Sequence, residues 1–423
     1  MNKIAAVLIL LVLVPLAHAY SVLTHEQIID LAWKDSIRPV LLSRFPNTTE
    51  AELLRAHSYA YGGCAIQDAG YYPFGKAFFS DLTHYVRTGD FVSALIRDAR
   101  NVDELAFALG ALSHYVGDNF GHHDAVNPST AIAFPNLAAK YGPIVTYDDS
   151  PHGHVRTEFA FDIDQLSKHR LAPSAYLRHV GLRVSARLLD QAFYETYGLH
   201  ANKIIGKERA AISSYRWSVR GFLPAFAYAE VLLHRKSFPQ DVSTPAFDAY
   251  AQRVSQADFS NGWEQYRKKP GIRTHVLAFL IVIVPKIGAA SDLAIRGPNE
   301  QTEQMYFDSV NQTLARYEQL LDQARSASTN QHSASLQIEN RDLDTGARVR
   351  PGGYPLTDQT YAKLLDRLSK TENPLPEQLK NDVLAYYADP DAPIVTRKNP
   401  GAWQKVQREL SQIKTMPVVA QIP

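Results

Sequence analysis

The sequence predicts an all-α protein, a multi-helix domain followed by a small helical C-terminal extension. From residue 20 to about residue 325, apolar residues recur three and four positions apart, with no sustained period-two alternation. After a polar interruption, 357–368, 376–387 and 400–413 repeat that helical spacing. The composition fits a folded chain of one large or two modest domains: 423 residues, 45% hydrophobic and 21% charged. It excludes a disordered, collagenous or multi-span membrane protein.

The first nineteen residues read as a signal peptide. Lys3 precedes the apolar run 4–14, Pro15 breaks it, and Ala17-His18-Ala19 supplies a small-x-small cleavage site. The mature chain is expected to begin at Tyr20 and to be secreted or periplasmic in a bacterium. The run is shorter than the roughly 20 residues that span a bilayer, so no transmembrane anchor is expected after processing. A second apolar run, 276–284, is shorter still and reads as a buried helix or strand.

Two helices carry most of the chemistry. Asn101 followed by Glu104 is a capping-box-like start, Leu105, Leu109, Leu112 and Val116 form a stripe, and Gly121 is the expected stop. His114 and Asp118 fall on the opposite face, among Phe107, Gly110 and Ala111. This helix is apolar nearly all round, so its His and Asp are expected to be buried and to need a partner or a metal. The second helix is expected from near His154, with Glu158 one turn on and Val155, Phe159, Ile163 and Leu166 on the adjoining apolar side. His152 is assigned to the loop before it. Residues 326–355, rich in Ser, Thr, Asn, Gln, Arg and Gly and ending in Pro351-Gly352-Gly353, read as a linker or long surface loop. The expected organisation is therefore 1–19 signal, 20–325 helical domain, 326–355 linker or loop, and 356–423 helical region.

Eight of the 15 histidines lie between residues 25 and 154: His25, His57, His84, His114, His122, His123, His152 and His154. With Asp68, Asp118 and Glu158 they offer nitrogen and oxygen ligands suited to zinc, manganese or iron. The lone Cys64 excludes an intramolecular disulfide framework and thiolate-rich metal sites. A His and a carboxylate at i, i+4 point two ligands at one ion, and two such helices side by side could close a polynuclear site. Such sites suit phosphate ester hydrolysis, because several cations acidify a water and stabilise a leaving oxygen. Either pair alone is more often a salt-bridged helix face; two pairs in one histidine-rich region reverse that balance. His57 reads as a satisfied core histidine. The aromatic residues Tyr59, Tyr61, Tyr71, Tyr72, Phe74, Phe78 and Phe79 read as core packing around Asp68.

Five segments together resemble the zinc-dependent phospholipase C family of bacteria, which is related to single-strand-specific fungal nucleases. They are Tyr20-Ser-Val-Leu-Thr-His25, Tyr61-Gly-Gly-Cys-Ala-Ile-Gln-Asp68, Ser80-Asp-Leu-Thr-His84, His114-Tyr-Val-Gly-Asp118 and His154-Val-Arg-Thr-Glu158. The resemblance implies an all-helical fold holding three zinc ions in a cleft. It implies one zinc on Asp68, His84, His114 and Asp118, and a second on His122, His154 and Glu158, with His123 the alternative to His122. A third would take the free amino group and carbonyl of Tyr20 with His25, Asp118 bridging to the first. The implied activity is hydrolysis of the glycerol-side phosphate ester of phospholipids by a metal-activated water, which Asp68 would orient or deprotonate. Phospholipid is the implied substrate, with transient contact at a membrane surface. Where phosphocholine-preferring members carry an aromatic residue this chain has Ala69, so a choline preference does not follow.

Three rivals remain. A single-strand-specific zinc nuclease would keep the metals, but a net charge of +1 gives little field to draw in nucleic acid. A metal-dependent phosphohydrolase built on His123-Asp124 would ordinarily act on intracellular nucleotides, against the export signal. A non-catalytic, zinc-stabilised helical binding protein would show metal-dependent melting without turnover.

Overall fold

The computed structural model describes residues 22–206, 208–218, 227–228, 230–231, 239–267, 297–329, 336 and 338–420. The expected signal segment, Tyr20 and the run 276–284 lie outside these residues, as do His234, His275 and His332. The fold is all-helical, as the periodicity predicts. Its helices are α1 (Val22–Ala32), α2 (Arg38–Arg44), α3 (Glu50–Gly63), α4 (Ala77–Tyr85), α5 (Thr88–Asp98), α6 (Val102–Phe120), α7 (Asn127–Ala133), α8 (Pro135–Tyr141) and α9 (Pro151–Ser167). They continue with α10 (Ser174–Val180), α11 (Ala186–Tyr197), α12 (Ala201–Ile204), α13 (Glu208–Trp217), α14 (Pro245–Asn261) and α15 (Glu300–Thr329). The C-terminal set is α16 (Pro355–Leu368), α17 (Glu377–Tyr386) and α18 (Pro400–Thr415). Among the described residues the only sheet is a two-residue parallel pairing of Leu375–Pro376 with Val418–Val419.

Helix α6 lies at the centre because it is apolar all round. Leu105, Phe107, Leu109, Leu112 and Val116 are all buried, each contributing about 1.5–3 kcal/mol relative to exposure. Its N-terminus is fixed by Asn101, whose side chain accepts from the Glu104 amide at 3.0 Å. Helix α3 starts at a full capping box between Thr49 and Glu52 and runs to α6 at backbone contact. A Cβ added at Gly110 would meet the Ala60 carbonyl at 2.1 Å, and one at Gly63 the Phe107 carbonyl at 2.0 Å. Only glycine permits this approach, and it brings the turn after α3 onto the face of α6 that carries His114. On another side, α15 buries Tyr306, Val310, Leu314, Tyr317 and Leu321 at helical spacing, and the Tyr317 hydroxyl donates to the Leu109 carbonyl at 2.9 Å. The C-terminal helices pack onto α4 and α11.

The sequence expectation is corrected at both ends of the site. Helix α6 ends at Phe120 as expected, but Gly121 does not stop the helical course: it has right-handed helical angles (φ −59°, ψ −48°) and the chain continues through a wide π turn, Gly121–Val126, into α7. Helix α9 begins at Pro151, before the expected His154, with the Ser150 hydroxyl accepting from the Gly153 amide at 3.3 Å. His152 is therefore an exposed residue of the first turn.

A buried ionic cluster anchors the end of α9. Asp164 lies 3.2 Å from Lys168 and accepts from the Gln165 side-chain Nε2 at 2.7 Å, with Glu303 of α15 bonded to Lys168 as well. Burial and the Glu303 carboxylate push Asp164 up to about 8. A carboxyl raised from its ordinary 3.8 stabilises the fold fully below about pH 4, and that contribution is lost as pH rises through 8. Asp164→Asn, permanently neutral, is expected to flatten the dependence. Melting scans at pH 6 and pH 9 should differ by several degrees less in the variant than in the wild type, and an equal difference would refute the assignment.

Candidate metal centre

The cluster assembles from four helices, one short helical turn and one wide π turn. His25 comes from α1, Asp68 from the short helical turn Gln67–Gly70 after α3, and His84 from the last turn of α4. His114 and Asp118 lie one turn apart on α6, His122 on the π turn, and His154 and Glu158 one turn apart on α9. All eight side chains are buried.

Their donor atoms fall into three groups, each with its atoms within 4.8 Å of one another: His25, His114 and Asp118; Asp68, His84 and His114; His122, His154 and Glu158. Asp118 joins the first two. One of its oxygens is 3.2 Å from His25 Nε2, and the other is 3.0 Å from His114 Nε2 and 3.4 Å from His84 Nε2. Asp68 Oδ1 is 3.3 Å from His84 Nε2. In the third group Glu158 Oε1 lies 2.8 Å from His154 Nε2 and 3.6 Å from His122 Nε2.

The backbone sets the direction of the rings. His84 Nδ1 faces the Ser80 carbonyl at 2.8 Å and His114 Nδ1 the Cys64 carbonyl at 2.9 Å. A carbonyl can only accept, so each Nδ1 carries a proton and each Nε2 is the nitrogen aimed into the cluster. His25 stacks on His114 with ring centroids 4.3 Å apart. His57 stands apart from the cluster, bonded to Asp30 at 3.0 Å and stacked on Trp33, a satisfied core histidine.

The electrostatics call for positive charge. Burial and the neighbouring His122 hold His154 down to about 3, so its imidazole is neutral. Burial, then Asp68, Asp118 and Asp344, push the Glu158 carboxyl well above its usual range. Against the cost of burial, His114, His25 and His84 hold Asp118 well below its usual range. His84, although burial opposes it, is carried to about 10 by Asp118 and Asp68. The Nε2 atoms of His122 and His154 and both Glu158 oxygens are buried without a hydrogen bond, although they approach one another closely. Such donors, off the hydrogen-bond direction, fit a shared cation better than each other. With nitrogen and oxygen donors and no thiolate, the residues present fit zinc.

Residues 24–206 match the family model described as zinc dependent phospholipase C. This segment is a domain of that family. The match encloses all eight of these side chains, though not Tyr20, so fold, donor set and family agree within the phospholipase C-like segment. No curated protein and no solved structure matches the chain.

The geometry also separates the two adjacent histidines. His122 is buried in the third group, whereas His123 points outward, its side chain 65% exposed, 2.5 Å from Asp124. The aromatic stretch divides too: Tyr61, Tyr72 and Phe79 are buried, Tyr59, Tyr71 and Phe78 pack at the core margin, and Phe74 is exposed.

One residue at the centre is invisible to local pattern. Asp344, from the polar stretch read as a linker or loop, is buried with Oδ1 3.2 Å from His122 Nδ1. It lies beyond the family match, and nothing in a run of Asn, Asp, Thr and Gly marks it as different from a solvated turn.

Proposed function

We propose that this chain is a secreted zinc-dependent phosphodiesterase of the phospholipase C type, hydrolysing the glycerol-side phosphate ester of phospholipids. The observation that carries this reading is the convergence of three buried donor groups in a segment of that family. Asp68, His84, His114 and Asp118 would hold one zinc; His122, His154 and Glu158 a second; His25 and Asp118, with the mature terminus at Tyr20, a third. Zinc bound there would supply an acidified water and positive charge for the phosphoryl oxygens.

The protein's own groups do the rest. Asp68, beside His84, would orient the attacking water and hold its proton. No side-chain nucleophile is needed. Tyr147, half-buried, meets His154 edge-on with ring centroids 5.6 Å apart. Burial and Glu158 raise its phenol above the ordinary range, so it remains a proton donor throughout the working pH range. We assign it a hydrogen bond to a phosphoryl oxygen of the substrate. A hydrogen bond to a charged group contributes about 1.5–3 kcal/mol, so Tyr147→Phe should lower kcat/KM by about 10-fold or more with metal content unchanged. An unaltered kcat/KM would remove Tyr147 from the mechanism.

Localisation outside the cytoplasm and transient contact with a membrane surface belong to the same proposal. Among the described residues no helix is long and apolar enough to cross a membrane. The deciding experiment is metal analysis of protein exported and processed in the cell, with a panel of phospholipids and single-stranded DNA assayed before and after chelation. Zinc with chelator-sensitive release of a phosphorylated head group supports the proposal. DNA cleavage alone would replace it with the nuclease reading, and zinc without turnover by a structural role.

A further inference from the structure

Resting on the zinc reading above, we propose that Asp344, carried by the segment after α15, is a positioning residue for the metal site of His122, His154 and Glu158, so that this site is completed from outside the phospholipase C-like segment. In the Asp68, His84 and His114 group, backbone carbonyls face the Nδ1 atoms. The third group has a carboxylate instead. Asp344 Oδ1 lies 3.2 Å from His122 Nδ1 and 4.0 Å from His154 Nδ1, while both Nε2 atoms face Glu158 on the far side of the rings. One carboxylate thus stands directly behind His122 and, just beyond hydrogen-bond reach, behind His154. A carboxylate behind an imidazole keeps the proton on the rear nitrogen, fixes the ring and makes the forward nitrogen a better donor.

The carboxylate is itself rigidly placed. Its other oxygen accepts from the Tyr147 amide at 3.0 Å and from the Tyr354 hydroxyl, and its main-chain carbonyl accepts from the Asn127 side chain at 2.8 Å. Asp342 folds the turn by accepting from the Thr345 amide at 2.7 Å. Gly346 completes it at φ +69°, where a Cβ would also meet the Asn119 carbonyl at 2.8 Å. The same stretch touches two other ligand-bearing helices. The Leu343 amide donates to the His84 carbonyl at 2.9 Å, and the Tyr115 hydroxyl to the Glu339 carbonyl at 2.7 Å. Residues 339–346 therefore brace α4, α6 and the π turn against one another, with Asp344 at the ligands.

The test is zinc affinity, resolved site by site by titrating zinc-loaded full-length protein with a chromophoric chelator, for wild type, Asp344→Asn and Asp344→Ala. Melting temperature in excess zinc serves as the control for folding. In the variants one zinc should become 10–100-fold weaker, with the others held as before. Asparagine, which keeps an acceptor oxygen, should lose less than alanine. That order would not follow from mere loss of packing. If the wild type holds zinc and all sites keep their affinity in both variants, the role of Asp344 is overturned while the zinc reading stands. A uniform weakening of every site in both variants would also overturn it, as a general loss of structure. A wild type without zinc would overturn both.

Discussion

Asp118→Ala should release two metals together and lower turnover by about 10³ or more. Asp118 uses both oxygens: one faces His25, the other His114 and His84. Through these contacts it reaches a histidine of each of the first two donor groups, which share His114. Removing it leaves three buried imidazoles without their common counter-charge and takes a ligand from both sites it would serve. Metal catalysis supplies several kcal/mol of transition-state stabilisation, and a loss of about 4 kcal/mol corresponds to about 10³ in rate. Asp118→Asn, which keeps shape and one acceptor but not the charge, should fall between the two. Metal analysis, activity and circular dichroism on the same preparations check this. A folded Asp118→Ala protein with its full metal complement would show that the joint between the two groups is not a ligand.

Which parts of this centre can be read from sequence follows from how far apart its members lie along the chain. His114 with Asp118, and His154 with Glu158, are legible because helix geometry places residues four apart on one face. Their burial is legible too, since α6 has no polar face to give to water. Asp68 and His84 sit in unremarkable local patterns: the density of histidines offers them as ligands, and only resemblance to a family assigns them to one site. The extent of α9 was also legible: Ser150 before Pro151 is a cap followed by a first-turn proline, a stronger start signal than His154. Gly121 misleads because glycine permits a stop without requiring one; here α15 and the 339–346 brace pack on that region and the helix widens instead. Asp344 was beyond reach. Its partners are two histidines far back in the chain, and only tertiary packing turns an aspartate in a polar run into a buried group behind them.

Chelation should lower the melting temperature by at least about 15 °C at neutral pH. A ligand present at 1,000 times its dissociation constant stabilises the native state by about 4.1 kcal/mol per site, so three filled sites reach about 12 kcal/mol. That rivals the whole stability of an ordinary domain, about 5–15 kcal/mol, and 1 kcal/mol shifts a domain of 150–250 residues by about 2–4 °C. The metal-free centre has a physical reason to be weak. Asp68, Asp118, Glu158 and Asp344 are buried within one cluster, Glu158 is driven toward its neutral form, and His154 is too hard to protonate to compensate. Only cations relieve all of these at once. The shift should return on adding zinc and should shrink in Asp118→Ala, which begins with fewer metals to lose. A melting temperature that ignores the chelator would mean that these side chains satisfy one another as a buried polar network, and the catalytic proposal would fall with the metal.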